Sequence, residues 1–463
     1  MERDIFLNLS PLDHRYYASN EPLFNQLAEY FSENAYIRYE LKVEAALVRV
    51  LAKRGLCSQA IAAEVSQACN EVEPEEVYLE EEKTKHNIRA LVNCIQHRVS
   101  EAARPYVHFT TTSVDIMDSA TALRFKEATE KVVLPKMLEL EALLIAIARR
   151  EKGTLQVGRT HGQHAVPITF GFAMAEYVSR LGSRIECVKQ TADNLRGKIS
   201  GAVGAYNASS LFFDDPMEFE TEVLWELGLQ PAIYSNQIVE PEYLTDYIHA
   251  ILSAFGVLAN LADDIRNLQR TEIGEVGEVF EATQVGSSTM PHKRNPWNFE
   301  HVKSMWKEFM PRMVTLYADQ ISEHQRDLTN SASGRFVPEI VVGFVAAVDR
   351  LTRVMKKLVV DESRMKRNFE MTKEMVIAEP LYILLASLGH PDAHEAVRKL
   401  TLKSQQTGKT LRELLVTQEE LFPYWERLTP KQRGVLEHPE QYRGWAERKT
   451  EYLCDLWEKR LMI

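Results

Sequence analysis

Along 244–268 the apolar residues fall at Leu244, Ile248, Ile251, Phe255, Leu258, Leu261, Ile265 and Leu268. Steps of three and four keep side chains on one stripe of an α-helix. The same rhythm runs through roughly 113–150, 168–198, 297–323 and 336–358, with Pro135 marking a helix start or a kink. Helices of such length bury their stripes best side by side, so the pattern predicts a bundle. The two-residue alternation of strands is sparse, and neither a GxGxxG nor a Walker loop occurs. Before about 110 and after about 359 the helical stretches are shorter, the later ones broken at Pro380, Pro391, Pro423, Pro430 and Pro439. The expectation is an all-α chain in three helical regions: 1–110, 111–358 with the central long-helix bundle, and 359–463.

Composition narrows the partners. Only 20 glycines and 18 prolines in 463 residues agree with a helical chain. A net charge of −11 argues against a nucleic-acid surface but leaves room for a local basic pocket. The five cysteines, Cys57, Cys69, Cys94, Cys187 and Cys454, are scattered and form no CxxC. They read as idle thiols of a reducing compartment, not as a disulfide frame or zinc site. The opening MERDIFLNLSPLDHRYY lacks the pattern of a secretory signal. No run of about 18 apolar residues suggests a membrane span. The expectation is a cytoplasmic protein with no nucleic-acid or membrane partner.

Five polar segments interrupt the helical rhythm. In 10–17 (SPLDHRYY), Arg15 and Tyr16 are expected in a proline-containing loop. The guanidinium suits a phosphate or carboxylate, or is simply solvated. The second pairs 84–89 (TKHNIR), with Lys85, His86 and Asn87, with 108–118 (HFTTTSVDIMD). There the hydroxyls from Thr110 to Ser113 precede a helical pattern. Either they and the free N–H groups bind an anion, or Thr112 or Ser113 caps the helix with Asp115 in its first turn.

The third segment, 158–167 (GRTHGQHAVP), lies between two long helices. His161 there is an acid/base candidate, because an imidazole titrates near ~6.5. A structural turn is the competing reading. A metal pair with His164 lacks any Cys, Asp or Glu in the same segment. The fourth combines the glycines of 197–208 with 235–241, where Asn207 and Gln237 offer amide hydrogen bonds. The fifth is 285–296 (VGSSTMPHKRNP), followed by 324–335 (HQRDLTNSASGR). Arg326, Ser331 and Arg335 could form a phosphate clip, and on one helix they would partly share a face. Jointly the five segments suit an anionic substrate that undergoes proton transfer.

The segment GSSTMPHKRNP resembles the GSSxMPxKxNP loop of the fumarase/aspartase superfamily. TSVD at 112–115 and THGQ at 160–163 resemble its other two shared regions, in the same order. Within the superfamily the likeness is greatest to the adenylosuccinate lyase family, through SPLDHRY, the KHN at 85–87, GKISGAVGAYNA, the Gln237 segment and QRDLTNSASGR. The resemblance implies a helical homotetramer whose bundles share a core and whose active sites each draw on three subunits. It implies a small-molecule nucleotide substrate that loses fumarate, with no metal or organic cofactor.

Site roles are implied by the same resemblance. Ser287 corresponds to the general base and His161 to the general acid. Lys293, Asn295, Thr112 and Ser113 correspond to contacts of the succinyl carboxylate, with Lys293 also steadying the base. His86 corresponds to a second active-site histidine that positions substrate, and Gln237 to a contact of the succinyl or base portion. Arg15, Tyr16, Arg326, Ser331 and Arg335 correspond to phosphate and ribose contacts, with Lys85, Asn87 and Ser288 completing the substrate site. The chain departs from the family pattern at Asn87, where Asp is usual, and at Lys85, Ser200 and His14. Competing readings are another fumarate-releasing lyase or cycloisomerase on the same fold, and a catalytically idle scaffold.

Overall fold

The apolar stripe at 244–268 is realised as one helix, Glu242–Leu268, in a computed structural model that describes residues 5–279, 289–290 and 292–463. Ile248, Ile251, Phe255, Leu258, Leu261 and Ile265 are almost wholly buried. The helix is long and apolar enough to cross a membrane, although the sequence shows no unbroken apolar run. With 67% of its apolar window buried inside the protein, it is a core helix. The chain is all-α, its other long helices being Ser113–Ala128, Leu134–Arg150, Phe170–Asp193, Trp297–Phe309 and Ser333–Met355.

Pro135 takes the second position of Leu134–Arg150, just after a π-helical turn, Thr129–Val133. The Leu134 N–H still donates to the Thr129 carbonyl, so the helical path is continuous, and Pro135, which has no N–H, falls where the wider π turn already interrupts the regular ladder. The stretch expected at 297–323 is instead two helices, Trp297–Phe309 and Met313–Ala318, parted by a 3-10 turn, Met310–Arg312, that contains Pro311. Strands among the described residues are short pairs. Leu155–Thr160 and Gln163–Thr169 form an antiparallel hairpin, Arg196–Gly197 runs parallel to Gln230–Pro231, and Val276–Glu278 is antiparallel to Leu358–Val360.

By packing the chain divides into two units: Met1–Leu138, Ser183–Leu258 and Ser304–Arg350 in one, Glu139–Gly182, Ala259–Lys303 and Leu351–Ile463 in the other. The boundaries fall inside long helices, whereas the three sequence regions follow chain order. In the first unit Tyr247 meets Phe125 edge to face, and its hydroxyl lies 2.7 Å from Thr129 Oγ1. Phe255 packs against Phe309 and Phe344. In the second unit Leu381, Leu385, Leu400, Leu411 and Leu414 form a core of the Ala378–Ser387, Ala393–Thr407 and Leu411–Thr417 helices. Arg149 binds Glu458 and Asp455 on the final helix, Ala446–Leu461.

Candidate functional site

In the first unit, the start of the Ser113–Ala128 helix holds several segments together through two carboxylates one turn apart. Asp115 Oδ2 accepts from the Thr112 N–H at 2.8 Å, the backward half of a capping box. The helix end expected from the TTS run is therefore present, with Thr112 as its cap residue. Asp115 also accepts from the Ser200 N–H at 3.1 Å, the Gly201 N–H at 3.1 Å and the Lys198 ammonium. Both Asp115 and Lys198 are fully buried. Their pairing offsets the cost of removing two charges from water, and the backbone donors satisfy the remaining lone pairs.

The 198–206 segment is held by further ties. Glu220 accepts from the Ile199 N–H at 2.7 Å and the Tyr206 hydroxyl at 2.6 Å. Ser200 Oγ lies 2.7 Å from Ser235 Oγ. Gly204, at φ +75°, comes so near Ser235 that an added Cβ would stand 1.9 Å from its carbonyl oxygen. Only a glycine fits that approach. One turn along the helix, Asp118 Oδ2 accepts from the Val239 N–H at 2.9 Å. Burial pushes the Asp118 carboxyl up to about 6, against the pull of that N–H and of the Lys198 and Arg326 charges. The Gln237 N–H donates to the carbonyl of Gln325 at 3.3 Å, just ahead of Arg326.

These links bring the 112–118, 198–204, 235–239 and 325–326 segments together. Asp118, Arg196, Val239, Tyr243, Arg326 and Asn330 are among the residues lining a cavity of about 140 Å³. The 86–87 segment joins them through Asn87, whose Nδ2 lies 3.7 Å from Met117 Sδ. His86 caps the Asn87–Gln96 helix, its Nδ1 accepting from the Arg89 N–H at 3.3 Å. That bond leaves the proton of the neutral ring on Nε2, on an exposed side chain. Lys85, exposed, turns the chain at φ 56°.

Other expected residues of this unit stand differently. Arg326 and Ser331 precede the Ser333–Met355 helix, so only Arg335 of the proposed clip is helical. The Arg326 Nε–H donates to the Asp327 carbonyl at 2.7 Å. Ser331 and Arg335 are exposed. Arg15 and Tyr16 lie in a π-helical turn, Leu12–Tyr16, rather than an open loop.

In the second unit, His161 and Gly162 form the two-residue tip of the Leu155–Thr169 hairpin, at φ 55° and φ 72°. Positive φ at both positions is the mark of the tight turn whose twist suits paired strands. His161 is exposed there. His164 is half-buried and its Nδ1 lies 2.9 Å from Thr372 Oγ1. Burial and the Arg159 charge hold the His164 imidazole below its ordinary value. Lys293 is exposed and its N–H donates to the Met290 carbonyl at 3.0 Å; Asn295 is half-buried. Ser287 and Ser288 lie outside the described residues. Among the described residues no three His, Cys, Asp or Glu side chains are grouped as a metal site.

Sequence reasoning missed the residues that hold the candidates in place. Lys198 stands among glycines and Arg159 two residues before a histidine, so neither stands out in the sequence. Asp118 and Glu275 lay inside helical or short apolar stretches. The GR-TH-GQ spacing carried a usable signal, because an x-Gly pair between two non-helical runs marks a hairpin turn.

A family model described as "Lyase" matches residues 14–310, and one described as "Adenylosuccinate lyase C-terminal" matches 322–430. The chain is 36% identical over 455 residues to adenylosuccinate lyase of Pyrococcus abyssi, covering 97% of this chain and 98% of that one. Among solved structures it is similar to the 3-carboxy-cis,cis-muconate lactonizing enzyme of Pseudomonas putida, with a TM-score of 0.79, 25% identity and coverage of 94% and 97%. It shares the fold of fumarate lyase from Mesorhizobium sp. BNC1, with a TM-score of 0.81, 23% identity and coverage of 93% and 97%.

Proposed function

The chain belongs to the adenylosuccinate lyase family, and on that premise we infer that it releases fumarate from adenylosuccinate to give AMP. By the same reaction it cleaves the succinyl-carboxamide ribotide of purine biosynthesis to the free carboxamide. The observation that carries this reading is the tying of 112–113, 200–201 and 237–239 to one helix end through Asp115 and Asp118. Those carboxylates take up the backbone N–H groups and leave the Thr112 and Ser113 hydroxyls and the Gln237 amide side chain at the helix end where an anionic succinyl group would be held. The muconate enzyme is less similar in sequence than the adenylosuccinate lyase relative.

The difficult step is removal of a proton beside a carboxylate. The resulting carbanion is tolerable when its charge lies on carboxylate oxygens, so donors aimed at those oxygens lower the barrier. Thr112 and Ser113 supply such donors at the helix end, and Lys293 and Asn295 supply a cation and an amide. Ser287 is the base, its alkoxide steadied by Lys293 and by backbone N–H groups of the glycine-led loop, with Ser288 beside it on the substrate. His161 protonates the leaving nitrogen, a role that its exposed place on a hairpin tip supports. His86 positions substrate, which its Nε2 proton supports. Gln237 binds the succinyl or base portion, and Lys85 and Asn87 border it. Arg15, Tyr16, Arg326, Ser331 and Arg335 hold phosphate and ribose.

The active protein is a homotetramer with sites shared between subunits. Support comes from the exposure of His86, His161 and Lys293 and from exposed Val314 and Tyr317 on the Met313–Ala318 helix, with exposed Ile321 just after it. The regions 1–110, 111–358 and 359–463 are its domains, and the leucine core at 377–436 supports the last of them. Five unpaired cysteines support a cytoplasmic location. The test is subunit complementation. Ser287→Ala and His161→Gln should each be tetramers by light scattering, with only a small residual turnover. Mixed under subunit exchange, they should regain part of the activity. Full activity of S287A would remove the base, and a mixture that stays at the residual turnover would remove the shared site.

A further inference from the structure

The hairpin that carries His161 is held by a buried carboxylate. Glu275 is wholly buried, and each of its oxygens accepts two hydrogen bonds. Oε1 accepts from Arg159 Nη2 and from Asn368 Nδ2 at 2.9 Å. Oε2 accepts from Arg159 Nη1 at 3.1 Å and Gln156 Nε2 at 2.9 Å. Arg159 and Gln156 both belong to the first strand of the hairpin, and Asn368 to the Glu362–Glu370 helix. The guanidinium meets the carboxylate along two parallel bonds, which fix its plane as well as its position.

The other arm is tied at the same level. Arg159 is in register with His164, whose ring reaches Thr372. A register shift between Val157 and Arg159 redirects the strand just below these ties. Gly158 sits in that shift, where an added Cβ would stand 2.7 Å from the Val166 carbonyl oxygen. Beyond the ties only Thr160, His161, Gly162 and Gln163 remain, so the tip has little freedom to tilt. Stability alone does not require a buried ion pair, since its desolvation cost roughly offsets its attraction. What the fork supplies is orientation.

We propose that the Arg159–Glu275 pair, backed by Gln156 and Asn368, is a positioning device that sets the imidazole of His161 against the leaving nitrogen. The proposal rests on the reading of His161 as general acid. A displacement of about 1 Å at such a group is enough to cost up to ~100-fold in rate.

Arg159→Lys keeps the charge and loses the fork. The expected result is a fall in kcat of about tenfold or more with KM held within about twofold. Placed in a His161→Gln background, the same substitution should change the residual kcat by less than about twofold, because the pair acts through His161. A pair that only supports the fold would lower kcat by the same factor in both backgrounds and lower Tm. That additivity, or an R159K variant with undiminished kcat, overturns the proposal. If H161Q itself keeps the parental kcat, the general-acid reading fails first, whatever Arg159 does. Should R159K not fold, Asn368→Ser removes one donor from Oε1 and is read in the same two backgrounds. A smaller loss with the same non-additivity is expected, and equal loss in both overturns the proposal.

Discussion

Asp115 and Lys198 are paired with neither side chain exposed to solvent. The carboxylate also holds Thr112, Ser200 and Gly201 by their backbone N–H groups, so one buried charge fixes a helix end against a glycine-rich loop. Lys198→Met leaves that charge without its cation. Such a loss costs about 3–5 kcal/mol. Denaturant unfolding should therefore show a large drop in midpoint, and the folded fraction should show a raised KM, because Thr112 and Ser113 lose their register with the loop. Parental stability in K198M would contradict the assigned role of the pair.

Asp118 gives a pH-dependent prediction. Its carboxyl is raised to about 6 in the folded chain by burial, against about 3.9 when unfolded. A raised value means that folding favours the neutral form. The stability this group contributes is complete below about pH 4 and is lost as pH rises through about 6. Asp118→Asn has no charge to bury, and its side-chain oxygen still accepts from Val239. The variant should melt a few degrees above the parent at pH 7.5, and the difference should close as pH falls towards 4. A melting difference that does not vary with pH would contradict the assignment.

The phosphate clip makes a kinetic prediction. Arg326 lines the cavity beside Asp118 and Val239, and Arg335 is exposed on the first turn of its helix. Losing a charge-assisted bond to phosphate costs about 1.5–3 kcal/mol. Arg326→Gln and Arg335→Gln should each raise KM about tenfold or more while lowering kcat much less. Inorganic phosphate should inhibit the parent competitively and both variants more weakly. An unchanged KM in both would remove the clip.

Gly158 makes a local prediction. Gly158→Ala pushes a Cβ against the Val166 carbonyl, so the hairpin must shift below His161. Activity should fall with little change in substrate affinity, and the circular dichroism of the helical bulk should stay as in the parent. A fully active G158A would show that the bulge tolerates a side chain.

The long helices were legible because their apolar stripes repeat over many turns, as at 244–268. The cap at Thr112 was legible because hydroxyl-then-carboxylate spacing is a local signal. Pro311 cut an expected helix, because a run of good helix formers on each side hid the missing N–H. The His161 hairpin was harder to see. Its strands are short, its bulge breaks the alternation, and its hold comes from Glu275 and Asn368, which are distant in sequence. Arg326, in irregular chain, and Ser331, in a turn, both precede the helix that their spacing had suggested. Spacing reports a shared face only once a helix is given. The roles of Asp115, Lys198 and Glu275 depend on packing between remote segments, which one sequence does not display.

The central claim is that this chain eliminates fumarate from a succinylated purine nucleotide. Its most direct test is absorbance-monitored turnover of adenylosuccinate beside argininosuccinate, malate and carboxymuconate, with fumarate measured as product. The account predicts cleavage of adenylosuccinate in equimolar yield of AMP and fumarate, with the other three left unchanged. No turnover of adenylosuccinate, or faster turnover of any of the others, would contradict it.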